Sequence, residues 1–431
     1  MLVFFDSNLN KRVAPTVVSL LSRVSVTLLG VWIARLLGES EYGDYVSFLA
    51  ALAIMGVPAN AGQSTLAVRV FAQNISRDRH EYGAYVTFSQ FIWLIGNGIV
   101  VLALWGYHLF FSDPTTTRDW SAYLLLPFAI FLSSRIGVYV GSVRGSGKTL
   151  LSVLPEGVIA PLSLFLLIIF FDSSSNFGID ATVTVLAKVL SIAVVSIFSI
   201  AVTRRCYVRL AVEKHWVIDK DRYKRWLRAS LPMAFLAIMT TLSTQVDLLM
   251  LAYFRSSPEV GVYHAATRGA ELLSFPLIVS SILIQAEVAA GLKRDNFPVV
   301  SRLLVRAARI CALLSLFGVL LYLFFGSELL AFVFGPGFRT GYVPLVILSC
   351  GYLISNMSGL VGMALNMGGF ERYTARALGF SAALNIILNY LMIPEYGVVG
   401  ASLATGFSII VWNLAMLRYA KKAYPMRVSI F

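Results

Sequence analysis

The stretch that decides the fold is Gln245–Glu271, which reads QVDLLMLAYFRSSPEVGVYHAATRGAE. It places Asp247 in one apolar run, then a Ser-Ser-Pro turn, then Arg268 and Glu271 in a second run. Asp247 and Arg268 lie about two helical turns on either side of the turn, so helices there would carry these opposite charges to a similar depth. The composition of the whole chain indicates what surrounds them.

That composition is typical of an integral membrane protein. Hydrophobic residues make up 58% of the chain and charged residues 13%, and the mean hydropathy is +0.77. A soluble core of this size cannot bury so much apolar surface. Windows of about twenty apolar residues predict about twelve membrane spans, each helical because irregular backbone cannot face lipid. The predicted fold class is therefore an all-α polytopic membrane protein, with spans at Ala14–Leu36, Tyr45–Val68, Tyr85–Leu109, Ala122–Val143, Leu150–Phe171, Ala181–Val202, Leu231–Phe254, Val262–Ala289, Ala307–Phe325, Tyr342–Met363, Ala377–Ile393 and Val398–Leu417.

The net charge of +13 admits a nucleic-acid partner, but the distribution of basic residues argues against one. If loops are assigned alternately to two sides, one side has only Arg35, Arg118, Arg255 and Arg339, and the other receives nearly all remaining Lys and Arg. By the positive-inside rule both termini are then cytoplasmic. The N-terminus lacks a cleavage pattern, which predicts an uncleaved first span.

Internal similarity indicates a duplicated chain. Ala34–Tyr45 aligns with Ala252–Tyr263 and keeps Ala, Glu, Gly and Tyr in register; Phe177–Ala181 aligns with Tyr396–Gly400. Gly147 and Gly157 likewise fall on Gly369 and Gly379 at nearly the same offset. Such parallel repeats predict two six-helix pseudo-repeat lobes around a central cavity. The predicted division is an N-terminal lobe at 1–203, a linker at 204–229, a C-terminal lobe at 230–418 and a cytoplasmic tail at 419–431.

The predicted linker contains the longest polar and most basic stretch of the chain, Arg204–Arg228. Tyr223, Trp226, Leu227 and Ser230 recur at helical spacing between Lys and Arg residues, which suits a helix lying in the headgroup layer. A solvated linker fits the same composition. Both interpretations make the segment a hinge between the lobes.

Gly141–Thr149 resembles a phosphate-binding loop, but its first glycine comes one position too early for the required spacing, and no strand precedes it. We interpret it as a tight cytoplasmic turn, with Arg144 and Lys148 facing lipid headgroups or substrate. No Ser-His-Asp set, catalytic carboxylate pair or metal-ligand spacing stands out, so neither an enzyme nor a cofactor is predicted. His264, just inside the eighth predicted span, is a weaker candidate for a titrating group.

Charged residues inside predicted spans are the main functional signal, because each costs about 2.5–3.5 kcal/mol near the centre of a span. Two interpretations apply to Asp247–Arg268 and to Glu156–Lys188: buried pairs that lock helices together, or groups that face a hydrated cavity. Arg23 and Arg135 have no acid nearby in their own helices and suggest an anionic ligand, since guanidinium suits phosphate oxygens. The charged positions within these spans are Arg23, Arg135, Glu156, Lys188, Asp247, Arg268 and Glu271.

Several segments together resemble the polysaccharide transporter branch of the MATE-like flippase superfamily. The resemblance covers nearly the whole chain and rests on Ala34–Tyr45, Gln245–Ala266, Phe334–Phe338, Leu365–Gly369, Leu384–Tyr390 and Ile393–Ala401. It implies a bacterial inner-membrane flippase that moves an undecaprenyl-diphosphate-linked oligosaccharide outward for surface polysaccharide synthesis, such as O-antigen or exopolysaccharide. By that resemblance Arg23, Arg135 and Arg268 are the positions that would hold the diphosphate. Compared with the related lipid II flippases, the first span has one central Arg and no adjacent Arg-Asp pair, so lipid II is a poor candidate.

The expected mechanism is alternating access, with the head group entering from the cytoplasm and the lobes rocking about the linker. Protonation of Asp247 or Glu271, or the membrane potential, would supply direction. Two alternatives stay open. A cation-coupled multidrug exporter would use the same fold, although a cavity rich in Arg and Lys repels organic cations. A non-transporting partner of a glycan polymerase complex is the other.

Overall fold

The computed structural model describes residues 7–73, 79–111, 120–173, 178–209 and 220–430. Within these ranges all regular structure is helical, which confirms the predicted all-α class. The α-helices are α1 (Ser7–Asn60), α2 (Gln63–Gln73), α3 (Arg79–Phe111), α4 (Trp120–Gly145), α5 (Thr149–Leu154), α6 (Ala160–Ser173), α7 (Ala181–Arg209), α8 (Lys220–Phe254), α9 (Ser257–Glu271), α10 (Phe275–Lys293), α11 (Phe297–Val333), α12 (Tyr342–Ser358), α13 (Val361–Met367) and α14 (Glu371–Ala423). A π-helical turn, Pro155–Ile159, joins α5 to α6, and 3₁₀ turns occupy Leu272–Ser274 and Pro336–Gly341.

Within the described ranges, 10 helical stretches are long and apolar enough to cross a membrane. Two of them contain a non-helical glycine: Gly38 in α1 has φ 73° and ψ 178°, and Gly397 in α14 has φ 53° and ψ −129°. Glycine adopts positive φ without the steric cost that other residues incur. The first two and the last two predicted spans therefore run on through α1 and α14, which reconciles the prediction with the observed stretches.

A break in a helix releases backbone groups that need new hydrogen-bond partners. At the Gly397 break, the Arg255 guanidinium donates hydrogen bonds to the carbonyls of Ile393 and Pro394, at 3.1 and 2.8 Å. At the break between α1 and α2, the Asn60 side chain accepts a hydrogen bond from the Ser64 N–H at 3.1 Å. Side chains thus replace the missing helical hydrogen bonds.

The chain forms two compact units whose boundaries differ from the predicted lobes. Unit 1 consists of Met1–Trp32 and Phe48–Thr241, and unit 2 of Ile33–Ser47 and Leu242–Phe431. The segment around Gly38 therefore packs with the second half of the sequence, and the first half of α8 packs with the first. Amino-acid composition identifies apolar spans but does not show which other helices they pack against.

The segment 204–229 is not a separate linker in the described residues. Arg204–Arg209 complete α7, Lys220–Ser230 begin α8, and residues 210–219 lie outside the description. Trp226 is buried, with its ring centroid 5.5 Å from that of Tyr85 and 5.4 Å from that of Phe88. The 220–229 part is helical, as the spacing of its aromatic residues predicts, and Trp226 packs into the core of unit 1.

The predicted cytoplasmic tail is also partly packed. Helix α14 continues to Ala423, and Tyr424 is buried and donates a hydrogen bond to the Ala364 carbonyl at 2.8 Å. Burial raises the pKa of Tyr424 above that of a free phenol, so this donor keeps its proton at neutral pH. Further along, the Ile430 N–H donates to the Met357 carbonyl at 3.4 Å, at the break between α12 and α13.

The two copies of the Glu-x-Gly-x-Tyr motif pack against each other within unit 2. A Cβ placed on Gly43 would overlap the Ser257 carbonyl, and a Cβ placed on Gly261 would overlap the Glu39 carbonyl. Ser257 and Glu39 occupy equivalent positions in the aligned repeats, so the contact is reciprocal. Gly147 and Gly369, a third aligned pair, share φ values of 81° and 82°. These features match a duplicated chain.

We predict that Gly43→Val destabilises the protein, because helix packing at this position leaves no room for a side chain. Overpacking of this kind costs about 1–3 kcal/mol, and we expect the thermal unfolding midpoint in detergent to fall by several degrees. Gly30→Ala is the matched control, since Gly30 lies on the same helix with open space around it. An unchanged midpoint for Gly43→Val would contradict the close glycine packing.

Candidate functional site

Arg135 is the most unusual charged residue of unit 1. Its side chain is only 8% exposed, and its guanidinium carbon lies 5.2 Å from the ring centroid of Trp93 and 5.1 Å from that of Tyr139. Within the described residues no carboxylate pairs with it, and Nη1 is buried without a hydrogen-bond partner. Two aromatic faces stabilise a cation in part, but a ring face is no hydrogen-bond acceptor for the Nη1 donors.

The surrounding helices hold this arrangement in place. Arg135 and Tyr139 are four residues apart and share one face of α4. On α3, the Trp93 indole N–H donates to the Ser134 hydroxyl at 3.0 Å, and its ring packs on Phe131 at a centroid distance of 4.3 Å. Trp93 is thus fixed from two sides, and the slot that receives the guanidinium is preformed.

Arg135 faces a cavity of about 290 Å³ between α3, α4 and α7. Polar atoms reach it from Gln90 and Ser196, while the other walls are aromatic or aliphatic. An apolar cavity with a few convergent polar groups is the usual form of a ligand site, and a free guanidinium edge selects anions with paired oxygens. The lining residues are Gln90, Trp93, Leu94, Phe131, Leu132, Arg135, Tyr139, Ser196 and Ile200.

Two further basic residues lie at the end of α4 and in the turn that follows. Arg144 is nine positions beyond Arg135, about 13.5 Å along the helix axis, and its Nε donates to the Ser152 hydroxyl at 3.4 Å. The Lys148 ammonium donates to the Cys206 sulfur at 3.3 Å. The turn forms as the sequence predicts, since α4 ends at Gly145 and Gly147 has φ 81°.

The other charged residues of unit 1 do not form the predicted pair. Glu156 occupies the π-helical turn and interacts electrostatically with Arg144 and Lys188, but no direct Glu156–Lys188 ion pair occurs in the described residues. The π-helical turn rotates Glu156 relative to a regular helix, which spacing in the sequence does not reveal. Arg23 is exposed on α1, and no acid pairs with its side chain in the described part of the chain.

Asp247 in unit 2 is buried, and its partners are neutral. Its Oδ2 accepts hydrogen bonds from the Tyr263 hydroxyl at 2.5 Å and the Thr405 hydroxyl at 3.3 Å. The Asn385 amide donates to the Thr405 hydroxyl at 3.2 Å, and Asn389 donates to Asn385 at 3.0 Å. The Oδ1 atom of Asn389 is buried without a partner. Carboxylate, hydroxyl and amide oxygens therefore converge from α8, α9 and both parts of α14.

Asp247 and Arg268 do not pair with each other, so the structure does not show the pairing alternative. Arg268 instead donates from Nη1 to Glu271 at 2.6 Å and from Nε to the His264 Nε2 at 3.1 Å. Arg268 follows Tyr263 by five residues, about 140° around α9, so it cannot face Asp247 when Tyr263 does. Since Nε2 of His264 accepts from a guanidinium, its Nδ1 carries the proton and donates to the Tyr42 hydroxyl at 2.9 Å.

Sequence reasoning missed the neutral residues of both sites. Trp93 and Tyr139 surround Arg135, and Tyr263 and Thr405 bind Asp247. Only two signals were available: Tyr139 follows Arg135 at helical spacing, and Tyr263 is the tyrosine of the repeated motif. Trp93 and Thr405 lie far from their partners in the sequence, and only the fold brings them together.

The chain is similar to known membrane proteins both in sequence and in fold. A family model described as polysaccharide biosynthesis protein matches residues 14–288. Two relatives come from Haloferax volcanii: the probable low-salt glycan biosynthesis flippase Agl15 is 22% identical and the alignment covers 90% of this chain and 78% of Agl15. The probable flippase AglR is 24% identical, and the alignment covers 92% of this chain and 80% of AglR.

Among solved structures, the lipid II flippase MurJ in an inward closed conformation has a TM-score of 0.73 at 14% identity, with 95% of this chain and 87% of MurJ covered. An inward-facing multidrug resistance MATE family transporter of the MOP superfamily has a TM-score of 0.69 at 14% identity, with 95% and 97% covered. Likeness at this identity shows a shared fold and says nothing about substrate.

We predict that Asp247 is coupled energetically to Tyr263 and not to Arg268. In double-mutant cycles of unfolding free energy, Asp247→Asn with Tyr263→Phe should give a coupling of about 1–3 kcal/mol, because a buried carboxylate loses a charged hydrogen bond. Asp247→Asn with Arg268→Gln should give a coupling near zero. Tyr253→Phe, an exposed tyrosine on α8, is the control. Strong coupling to Arg268 instead would restore the ion-pair prediction.

Proposed function

Because this chain belongs to the polysaccharide biosynthesis protein family and is a multi-pass membrane protein, we propose that it is a flippase for a lipid-linked oligosaccharide. The flippase names of Agl15 and AglR, which align over most of this chain, support the proposal. The proposed reaction is movement of an intact substrate across the bilayer, so no bond in the substrate is made or broken.

The environment of Arg135 is the observation that best supports the proposal. A cation at membrane depth that is held between aromatic rings and lacks a counter-charge is costly unless a ligand completes it. Arg135 lines a cavity of about 290 Å³, and its Nη1 has no hydrogen-bond partner. These features fit a phosphate group, whose oxygens accept paired hydrogen bonds from guanidinium. A diphosphate, shared by polyprenyl-linked glycans, brings such oxygens together with an alkyl chain.

We propose a sequence of basic contacts for this diphosphate. Arg144 and Lys148, at the end of α4 and in the next turn, meet it at the membrane surface, and Arg135 binds it deeper along the same helix. Arg23 on α1 is a further proposed contact. In unit 2, Arg268 on α9 is proposed by itself as an anion contact. Arg268 is held through Nε and Nη1 by His264 and Glu271, which orients its guanidinium while its charge is partly neutralised.

The finer features of the proposal come from the family resemblance and, for the topology, from the distribution of basic residues. The carrier is undecaprenyl diphosphate, the membrane is the bacterial inner membrane, and the excess of basic residues on one side indicates cytoplasmic termini. Transport proceeds by alternating access, which a substrate biases only through a difference in its affinity for the two states. The multidrug exporter alternative gains no support from Arg135, because an uncompensated cation repels cationic drugs.

We propose Asp247 as the coupling group in place of Glu271. Glu271 already binds Arg268 and is 38% exposed, whereas the charge of Asp247 is buried among neutral donors. A proton or a small hard cation would neutralise this charge. The side-chain oxygens of Asn385, Asn389 and Thr405 are ligands of the type that bind hard cations. Binding at Asp247 would then supply the direction of transport.

We predict that Arg135→Gln reduces flipping of a labelled undecaprenyl-diphosphate oligosaccharide in proteoliposomes by about 10- to 100-fold, the loss expected for a charge-assisted phosphate contact. Arg135→Lys should rescue it only in part, because a lysine keeps the charge but not the planar stacking. Arg69→Gln, an exposed arginine of the same unit, serves as the control. Full activity in Arg135→Gln would refute the site.

The same assay addresses Arg23. Arg23→Ala should lower the flipping rate without changing the thermal unfolding midpoint, because the side chain is exposed and forms no ion pair in the described residues. Intact transport in Arg23→Ala would remove this residue from the proposed diphosphate contacts.

We predict that Asp247→Asn abolishes the response of transport to an ion gradient and leaves substrate binding within about threefold of the wild type. Flipping is measured with an imposed pH gradient, then with an imposed Na⁺ gradient at constant pH, to identify the ion. Glu271→Gln is the comparison and should keep its gradient response. A full response in Asp247→Asn would contradict the coupling role.

A further inference from the structure

The cavity beside Arg135 is bordered by apolar side chains that remain exposed. Leu94 and Phe131 line the cavity and are 56% and 39% exposed, respectively. On the surface around it, Phe91 and Phe128 are exposed by 56% and 52%, and Ile197, next to the lining residue Ser196, by 69%. A hydrated cavity wall would be polar, whereas these side chains are of the kind that face hydrocarbon in a membrane protein.

Two classes of group therefore meet in one groove on unit 1. The guanidinium of Arg135 and the side chains of Gln90 and Ser196 form its polar floor. Leu94 and Phe131 are apolar lining residues on α3 and α4, and Ile197 on α7 is the exposed neighbour of the lining residue Ser196. Arg135 lies ten residues from the end of α4, about 15 Å along the helix axis, so this combination occurs near the middle of a bilayer.

We infer that this groove is a lateral site for the isoprenoid tail of the diphosphate substrate, with the phosphate on Arg135 and the first prenyl units against Leu94, Phe131 and Ile197. The inference rests on the proposed function and changes the route of access: the substrate reaches Arg135 from the bilayer, between α3 and α7. The occupant follows from charge complementarity, because the groove joins one uncompensated cation to an apolar surface and so matches an anion with an attached chain.

This arrangement gives the tail a role in recognition. Glycan composition varies between substrates, whereas every carrier of this class has the same junction between diphosphate and isoprenoid. A groove that reads this junction binds the substrate independently of the attached sugars. The tail also stays in an apolar environment while the charged group is held at depth, which avoids exposing hydrocarbon to water.

The test measures binding of three soluble probes to the purified full-length protein in detergent: inorganic diphosphate, farnesyl diphosphate and farnesol. Farnesyl diphosphate should bind more tightly than inorganic diphosphate, because it adds apolar contacts to the same anion site. Leu94→Ser and Ile197→Ser should each weaken farnesyl diphosphate by about four- to fifteenfold, the loss of one or two buried methylene contacts. Neither should change the affinity for inorganic diphosphate.

Two controls separate this inference from the proposed function. Arg135→Gln should weaken both diphosphates by about tenfold or more and leave farnesol unchanged. Phe324→Ser removes an aromatic residue of unit 2 that is 77% exposed and should change nothing. All variants lie on exposed apolar positions or retain a polar side chain, and their unfolding midpoints are compared with that of the wild type.

Three results of these binding measurements would each count against one of the two proposals. If Leu94→Ser and Ile197→Ser leave the advantage of farnesyl diphosphate intact, the tail lies elsewhere and the inference fails, while the diphosphate site stands. If Arg135→Gln leaves inorganic diphosphate binding unchanged, the proposed function loses its main support instead. If dioleoylphosphatidylglycerol displaces farnesyl diphosphate at equal concentration, the groove is a general phospholipid site, which also overturns the inference.

Discussion

A charge at membrane depth must meet an opposite charge, water, a neutral hydrogen-bonding shell or a ligand, and this constraint explains the polar residues of both compact units. Asp247 satisfies it internally, because Tyr263 and Thr405 donate hydrogen bonds to the same oxygen. Arg135 does not, because Trp93 and Tyr139 offer only ring faces. The Asp247 carboxylate thus has donors within the protein, whereas Arg135 has a buried Nη1 without a partner.

Two of the long helices are interrupted at specific glycines. Gly38 and Gly397 break α1 and α14 with positive φ, and Arg255 compensates the second break with two hydrogen bonds to carbonyls. Gly43 and Gly261 serve another purpose, because they let equivalent segments of the two repeats come close enough that neither tolerates a Cβ. Gly38 and Gly397 thus adopt backbone angles that other residues avoid, whereas Gly43 and Gly261 allow two helices to pack closely.

Much of the fold follows from the sequence because lipid imposes a simple rule: long apolar runs must be helical. The predicted spans, the turns at Gly147 and Ser256, and the repeated Glu-x-Gly-x-Tyr motif all reappear. Helix ends were harder to predict. Helix α8 begins at Lys220, inside a basic stretch whose composition resembles a linker, and its Trp226 is buried. Amphipathic residues of this kind are ambiguous until their packing partner is known.

The candidate sites were predictable only in their charged members. Arg135 stands out in the sequence because an arginine in an apolar run is rare. Its aromatic partners do not, since Trp and Tyr are common in membrane helices. The assumption that opposite charges pair also failed for Asp247, because a helix places residues by rotation as well as by depth, and Tyr263 occupies the face that meets it.

Binding of the diphosphate of a lipid-linked glycan to Arg135 can be seen in a cryo-electron microscopy structure of the protein in nanodiscs with an undecaprenyl-diphosphate oligosaccharide. We expect diphosphate density within hydrogen-bonding distance of the Arg135 guanidinium. Diphosphate density elsewhere, with the Arg135 guanidinium still enclosed by its two rings and without a ligand, would contradict it.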